Sequence, residues 1–273
     1  MIYAQTVLVA GILCGALALG AWKARILDRW GAITAFLIGF VTFVFPADGW
    51  KWFAVLLVFL TVSSYMTRYK YQAKRKSGFA QEKGGARSWP NVAANGAIAG
   101  FLVLLTPFFP PEPLLGAFLG AVATANADTL ATEIGLLNPS DPRLITDLRR
   151  AVPAGTSGGI SVLGELATLL GAAVIGIAAS ILGMISKMGW SSAVLIGTTM
   201  IAGFAGSSLD SIIGATIQGI YKCQVCNKIT ENRRHCGAAS VPLRGYKVID
   251  NNIVNLMATI FGAIVAILFL ALS

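Results

Sequence analysis

Charge is what this sequence has least of. Asp, Glu, Lys and Arg make up 12% of its 273 residues, about half the share found in a soluble domain. Histidine occurs once. With one histidine, no HExxH pattern and no GxxxxGK[ST] pattern, the chain has no basis for a Ser-His-Asp triad, a zinc-peptidase helix or a P-loop. Cysteine is scarce as well, and three of its 4 copies fall close together near residue 230.

Apolar residues take the place of the missing charge. They account for 56% of the chain, the mean hydropathy is +0.72, and 30 glycines suit close helix packing in lipid. Eight apolar stretches stand out at 4–21, 30–46, 50–66, 91–107, 113–137, 156–184, 190–219 and 252–272. About 20 such residues cross a hydrocarbon core of about 30 Å. The expected fold is therefore all-α, a polytopic transmembrane bundle of about eight spans in a single integral membrane domain, 1–273. The first stretch has no basic flank and no cleavage-site pattern, so it reads as a retained helix rather than a signal peptide.

The charges that remain are sorted by side. Segments 22–29, 67–90, 138–155 and 220–251 are each net positive, whereas the intervening loops hold only Asp48, Lys51, Glu112 and Lys187. Positive loops stay in the cytosol. The alternation makes 67–90 a cytoplasmic basic loop and 220–251 a cytoplasmic loop containing the Cys/His residues, with both termini outside. Topology explains the net charge of +9 without a nucleic-acid partner; anionic membrane lipids or a phosphorylated substrate are the natural counter-charges.

Four acids are left inside apolar stretches: Asp128, Glu133, Glu165 and Asp210. A carboxylate at the centre of a membrane helix costs about 3 kcal/mol, so it faces a cavity or a partner. Asp128, Glu165 and Asp210 are expected about 14 Å of helix rise from the cytosolic ends of their spans. Small polar residues surround them: Thr124, Asn126, Thr129 and Thr132 near Asp128, and Ser207, Ser208 and Ser211 near Asp210. Two such helices can present carboxylates to Mg²⁺, which takes one or two of them together with phosphate oxygens and water. The plainer reading is interhelical hydrogen bonding to Ser and Thr.

Three junctions between loop and span suit phosphate. Lys83, Gly84, Gly85 and Arg87 precede Asn91 and Asn95, which share a helix face. Gly155, Thr156, Ser157, Gly158 and Gly159 are expected to open the sixth span, where free N–H groups would meet an anion. Asp250, Asn251, Asn252 and Asn255 open the eighth; capping explains one of them, and ligand contact is the reading for the rest. Separately, Cys223, Cys226, His235 and Cys236 form a candidate zinc set, with a redox pair or plain reduced thiols as alternatives. Paired glycines at 11 and 15, 96 and 100, and 116 and 120 permit close packing within the chain or in a homo-oligomer.

Taken in order, these motifs resemble the membrane family of phytyl-phosphate kinases and the transmembrane protein 19 relatives. The matching stretches are Lys83–Arg87 with Asn91–Gly96, Ala127–Gly135, Gly155–Ser161, Gly206–Ser211, and Asp250–Asn252 with Asn255. The resemblance implies a kinase that converts an isoprenoid monophosphate to its diphosphate with a nucleoside triphosphate such as CTP. In that reading Asp128 and Asp210, with Glu133, hold Mg²⁺, and Lys83, Arg87 and the 155–159 turn bind phosphate. The asparagines orient oxygens, and the prenyl tail lies in the bilayer. The acceptor phosphate is already ionised, so no strong base is required. A cytidylyltransferase making a CDP-lipid, or a secondary transporter using its carboxylates for ions, are the alternatives.

Overall fold

The computed structural model describes residues 4–76, 85–184 and 190–272. Within them the chain folds into α1 (Ala4–Lys23), α2 (Arg29–Val44), α3 (Gly49–Arg68), a short α4 (Tyr71–Lys76), α5 (Trp89–Leu104), α6 (Pro111–Gly135), α7 (Val162–Ile181), α8 (Ser192–Thr216) and α9 (Asn251–Leu272). Six of these, α1, α3, α6, α7, α8 and α9, are long and apolar enough to cross a membrane; α2 and α5 are shorter apolar helices. At 16 residues each, α2 and α5 rise about 24 Å, less than the full hydrocarbon thickness.

The ends of the helices follow local chemistry. Asp28 caps α2 by accepting from Gly31 N (2.8 Å), and Ser161 caps α7 by accepting from Gly164 N (3.1 Å). Asp250 caps α9, its Oδ1 accepting from Asn252 N and Ile253 N (3.0 and 3.1 Å). Proline stands in the first turns of α5 and α6, where its missing N–H costs nothing. Exposed Trp22, Trp30 and Trp89 ring the loop-rich end of the bundle and Trp50 the opposite end, as in the aromatic belts of membrane proteins.

Helix α6 is the hub. It packs against α3, α5, α7, α8 and α9, and 83% of its apolar window is buried. Small residues make that possible. A Cβ on Gly120 would lie 2.5 Å from the Gly262 carbonyl oxygen and 2.6 Å from Ala266 Cβ, so α6 and α9 touch backbone to backbone there. Gly171 lets α7 meet Ala127, and Gly203 lets α8 meet Ala123. In lipid, where no hydrophobic force drives helices together, such close approach supplies the contact energy. The 116/120 and 96/100 glycine pairs thus serve the chain itself, the latter against Ile38 of α2; Gly11 meets no neighbour within 4 Å.

The structure corrects several expectations. The fold is not purely helical: β1 (Arg143–Leu144), β2 (Asp147–Ala151) and β3 (Gly159–Ile160) form a small antiparallel sheet between α6 and α7. Between α8 and α9, β4 (Ile220–Lys222) pairs with β5 (Ile229–Thr230) and β8 (Val241–Arg244), and β6 (Arg234–His235) pairs with β7 (Ala238–Ala239). Polar connections of this length satisfy their own backbone groups by pairing. The Gly155–Gly159 turn lies ahead of α7 rather than at its start, because Gly155 and Gly158 hold φ values of +74° and +82°, outside any right-handed helix. Glu165 consequently sits in the first turn of α7, half-buried, where the helix dipole favours it.

All four basic connections lie on one face. Leu27 forms a parallel bridge with Arg87, Lys74 reaches Glu133 at the end of α6, and Ser157 donates to Gln218 Oε1 (2.7 Å). The α6–α9 contact gives a direct test. Gly120→Leu should destabilise the protein by about 1–3 kcal/mol through overpacking, read as a lower melting temperature in detergent. Gly11→Leu, with open space around it, should leave that temperature unchanged.

Candidate functional site

Four helix ends meet beneath the basic face: the last turns of α6 and α8 and the first turns of α5 and α9. Asp128 and Asp210 stand on the first pair, about 10 Å of helix rise from the ends, shallower than the apolar stretches suggested. They lie within electrostatic range of each other, and Glu231 from the α8–α9 connection reaches both. The Ser207 hydroxyl faces Asp128.

Asparagines from the second pair close the group. With the Asn255 amide oriented to suit its neighbours, its nitrogen donates to Asp210 Oδ2 (3.0 Å) and to the Asn251 carbonyl (3.2 Å). Its oxygen accepts from Asn95 Nδ2 (3.3 Å). Asn95 Nδ2 also donates to the Asn91 carbonyl (2.9 Å). Both Asn95 and Asn255 are buried, and the buried Asn91 Oδ1 has no hydrogen-bond partner among the described residues. One amide chain therefore runs from Asp210 on α8 through α9 to α5.

At its α5 end this chain reaches an apolar cleft. The cleft lies between α2, α3 and α5 and is walled by Ile38, Phe53, Leu56, Leu57, Leu60 and similar side chains, with Arg87, Asn91 and Asn95 as its polar members. A second apolar hollow shares Leu27, Ala35, Phe53, Leu57 and Leu60 with it and extends to Cys14 and Leu17 on α1. Arg87 is held by its backbone, which donates to Ile26 O and accepts from Asp28 N (both 3.0 Å). Its guanidinium is buried and lies 5.8 Å from the Phe59 ring centroid. Burial pulls it down to about 10, and the Glu133 carboxylate opposes the fall.

Glu133 itself is occupied differently from Asp128 and Asp210. It is 3% exposed and receives Lys74 Nζ at 2.5 Å, with Lys74 equally buried. Lys74 also donates to Met66 O (2.9 Å). The pair neutralises the end of α6 and leaves Glu133 Oε1 unpartnered. Some polar neighbours prove to be helix glue: Thr124 Oγ1 donates to Gly120 O (2.9 Å), and Asn126 Nδ2 donates to Gly171 O on α7 (2.7 Å).

The 155–159 turn does not stand open to an anion. Thr156 N and Gly159 N donate within the turn, to Pro153 O and Thr156 O (3.1 and 2.9 Å). Ser157 points at Gln218, and Gly158 abuts Ala215 so closely that no side chain would fit. Glu231 faces Ser157, Gln218 and Arg244. Burial raises its carboxyl above the usual range; Ser157, Gln218 and Arg244 oppose the rise and Asp250 adds to it. Arg244 also donates to the terminal carbonyls of α8, Gly214 O and Ala215 O (2.9 and 2.7 Å), a cation at a helix C-terminus.

Asp250 is consumed as a cap, while Asn251 and Asn252 sit half-buried at the start of α9. Gly85 holds a left-handed turn beside Thr67. Lys83 and Gly84 lie outside the described residues. Among the described residues, three or more ligand atoms of His, Cys, Asp and Glu gather within 4.8 Å of one another at one place, Cys223, Cys226, His235 and Cys236. Lys74, Glu231, Gln218 and Arg244 were not anticipated as site residues.

Comparison with known proteins identifies the family. A family model described as "Integral membrane protein DUF92" matches residues 12–263. The chain belongs to that family. Protein PGR of Arabidopsis thaliana is 32% identical over 91% of both chains. An uncharacterized membrane protein of Methanocaldococcus jannaschii is 32% identical over 94% of this chain and 91% of its own. The chloroplastic Protein VTE6 of Arabidopsis thaliana is 28% identical over 87% of this chain and 63% of its own. The resemblance to the phytyl-phosphate kinase-like membrane family is thereby borne out. No solved structure matches the chain.

The buried ion pair supplies a stability test. Lys74→Met strands the Glu133 carboxylate and should cost about 3–5 kcal/mol, read as a large fall in melting temperature. Adding Glu133→Gln to it should recover most of the loss.

Proposed function

We propose that this protein is a nucleotide-dependent kinase that converts an isoprenoid monophosphate to its diphosphate at the cytosolic leaflet. One observation carries the reading. An apolar cleft among the helices ends at a buried arginine and two asparagines, and an amide chain links that end directly to a carboxylate pair. A molecule with a long apolar tail and an anionic head fits such a site: the tail fills the cleft, and Arg87 meets the phosphate with charge-assisted hydrogen bonds.

Phosphoryl transfer depends on positioning and charge neutralisation more than on covalent chemistry. No three carboxylates among the described residues converge within 4.8 Å. Mg²⁺ binds through one or two carboxylates plus substrate phosphates and water. Asp128 and Asp210 would hold it, and it would neutralise charge on the triphosphate. Asn255 fixes the direction of the Asp210 carboxylate, so that carboxylate need not reorganise during transfer. Arg87 and Asn95 hold the acceptor at the inner end of the cleft. Its phosphate oxygen is the nucleophile and is already ionised, so the lack of a histidine among these residues is no handicap. The net positive charge of the loops supports a cytosolic site, where nucleotide is available. Eight spans, with α2 and α5 as the short ones, complete that topology. CTP is the donor expected from the family likeness.

The test is direct: protein in nanodiscs with Mg²⁺, radiolabelled CTP and geranylgeranyl or phytyl monophosphate should yield the diphosphate and CDP. Asp128→Asn and Asp210→Asn should each lower kcat by about 100-fold or more. Ala35→Trp, which fills the cleft, should raise KM for the long-chain acceptor about tenfold, a ~1.4 kcal/mol loss, and leave the nucleotide KM unchanged. Release of pyrophosphate with capture of CMP would replace the kinase by a cytidylyltransferase. Full activity in Asp128→Asn would remove the metal assignment.

A further inference from the structure

The α8–α9 connection is too long and too polar to be a simple link. It carries four thiol or imidazole groups with their ligand atoms gathered within 4.8 Å of one another. A tetrahedral zinc ion, with Zn–S of about 2.3 Å and Zn–N of about 2.0–2.1 Å, requires ligand atoms about 3.8 Å apart for two sulfurs and about 3.6 Å for sulfur and nitrogen. His235 Nδ1 lies 3.4 Å from Cys226 Sγ and 3.2 Å from Cys236 Sγ. These are close to the edges of such a tetrahedron.

The backbone is arranged for the same purpose. After Cys226, Asn227 takes a left-handed φ of 58° and donates its N–H to Cys223 O (3.1 Å). That turns the chain back so that Val225 N points at Cys223 Sγ (3.4 Å). On the β6–β7 hairpin, neighbouring side chains would ordinarily face opposite ways. Cys236 is left-handed (φ 52°) and so is Gly237 (φ 78°), which brings the Cys236 thiol round to the His235 ring. Strain at a non-glycine residue persists where something over-determines it. Cys223 is buried, while Cys226 and Cys236 face outward.

We infer that Cys223, Cys226, His235 and Cys236 bind one zinc ion, and that this ion fastens the connection across the carboxylate site so that Glu231 stands over Asp128 and Asp210. The position of Glu231 makes the second half specific. It lies between the two ligand pairs, one residue past β5, and reaches Ser157 and Gln218 below. With four fixed ligands the zinc site is closed and structural rather than catalytic. Glu231 is a positioning residue, and its part in turnover rests on the kinase reading; the zinc site does not.

The experiment therefore has two readouts. Full-length protein purified under reducing conditions should contain about one zinc per chain by elemental analysis. Cys226→Ser and Cys236→Ser should lose it, and Cys14→Ser should keep it. Cobalt in its place should give the absorption of a tetrahedral thiolate site. Stripping the zinc should expose 220–250 to protease, and returning zinc should restore protection. Metal-free wild-type protein, a Cys223–Cys226 disulfide, or zinc retained in both cysteine variants would each overturn the site. For the second half, stripping zinc should lower kcat in the wild type to the level of Glu231→Gln and lower it no further in that variant. Zinc bound and the loop protected, with kcat indifferent to stripping, would overturn the coupling alone.

Discussion

A helix can be enclosed on every side only if its residues leave room for its neighbours, and α6 depends on that constraint. Its Gly120 meets the backbone of α9, while Ala123 and Ala127 receive Gly203 and Gly171 from α8 and α7. Packing this close fixes the rotation of α6 about its own axis. Asp128 therefore faces α8 and its Ser207, and Glu133 turns toward Lys74. Bulkier residues along α6 would push α8 and α9 outward and separate Asp128 from Asp210 and Asn255. The chemistry at the loop face is thus set by small residues lying deeper in the bundle.

Charge is placed with equal economy. Each buried ionic group has a distinct answer to the cost of leaving water. Glu133 has a lysine, Arg87 has Glu133 nearby and an aromatic ring against it, and Arg244 has the carbonyls at the end of α8. Asp128 and Asp210 stand apart from this pattern: they repel each other and Glu231, and the Ser207 hydroxyl and the Asn255 amide meet them where Glu133 has a lysine. Mutually repelling carboxylates without a lysine of their own are natural candidates for a functional site, and the proposed function builds on these two.

Much of this was legible in the sequence. The apolar stretches anticipate the eight apolar helices to within a few residues at most ends, and the sorting of Lys and Arg anticipates the shared loop face. Asp210 stands out because nothing else in its segment is charged, and Asp128 because Glu133 is the one other charge in its own. Asn91, Asn95, Asn251 and Asn255 stand out because a four-residue spacing puts each pair on one helix face. Lys74 was hidden within a run of basic residues, where one lysine resembles the next until a loop folds over α6. Glu231 was hidden for the opposite reason, since an acid in a polar connection needs no explanation by itself. The start of α7 falls later than the 156–184 stretch suggests because the uncharged Gly155–Gly159 segment joins the apolar run in sequence but forms a turn, and Ser161 supplies the cap.

The cleft beside Arg87 has a consequence for how occupancy is measured. Its walls are the apolar faces of α2 and α3 together with the start of α5, continuing to α1, so a long-tailed acceptor of the proposed kind would be dissolved in the bilayer before it is bound. The variable that governs such binding is mole fraction in the membrane, and molarity in the surrounding water has little bearing on it. Diluting the protein and its vesicles together would leave saturation untouched, whereas adding inert lipid at constant bulk concentration would lower it. On the proposed reading, the site at the head of the cleft would draw its apolar ligand from a two-dimensional phase and its nucleotide from a three-dimensional one.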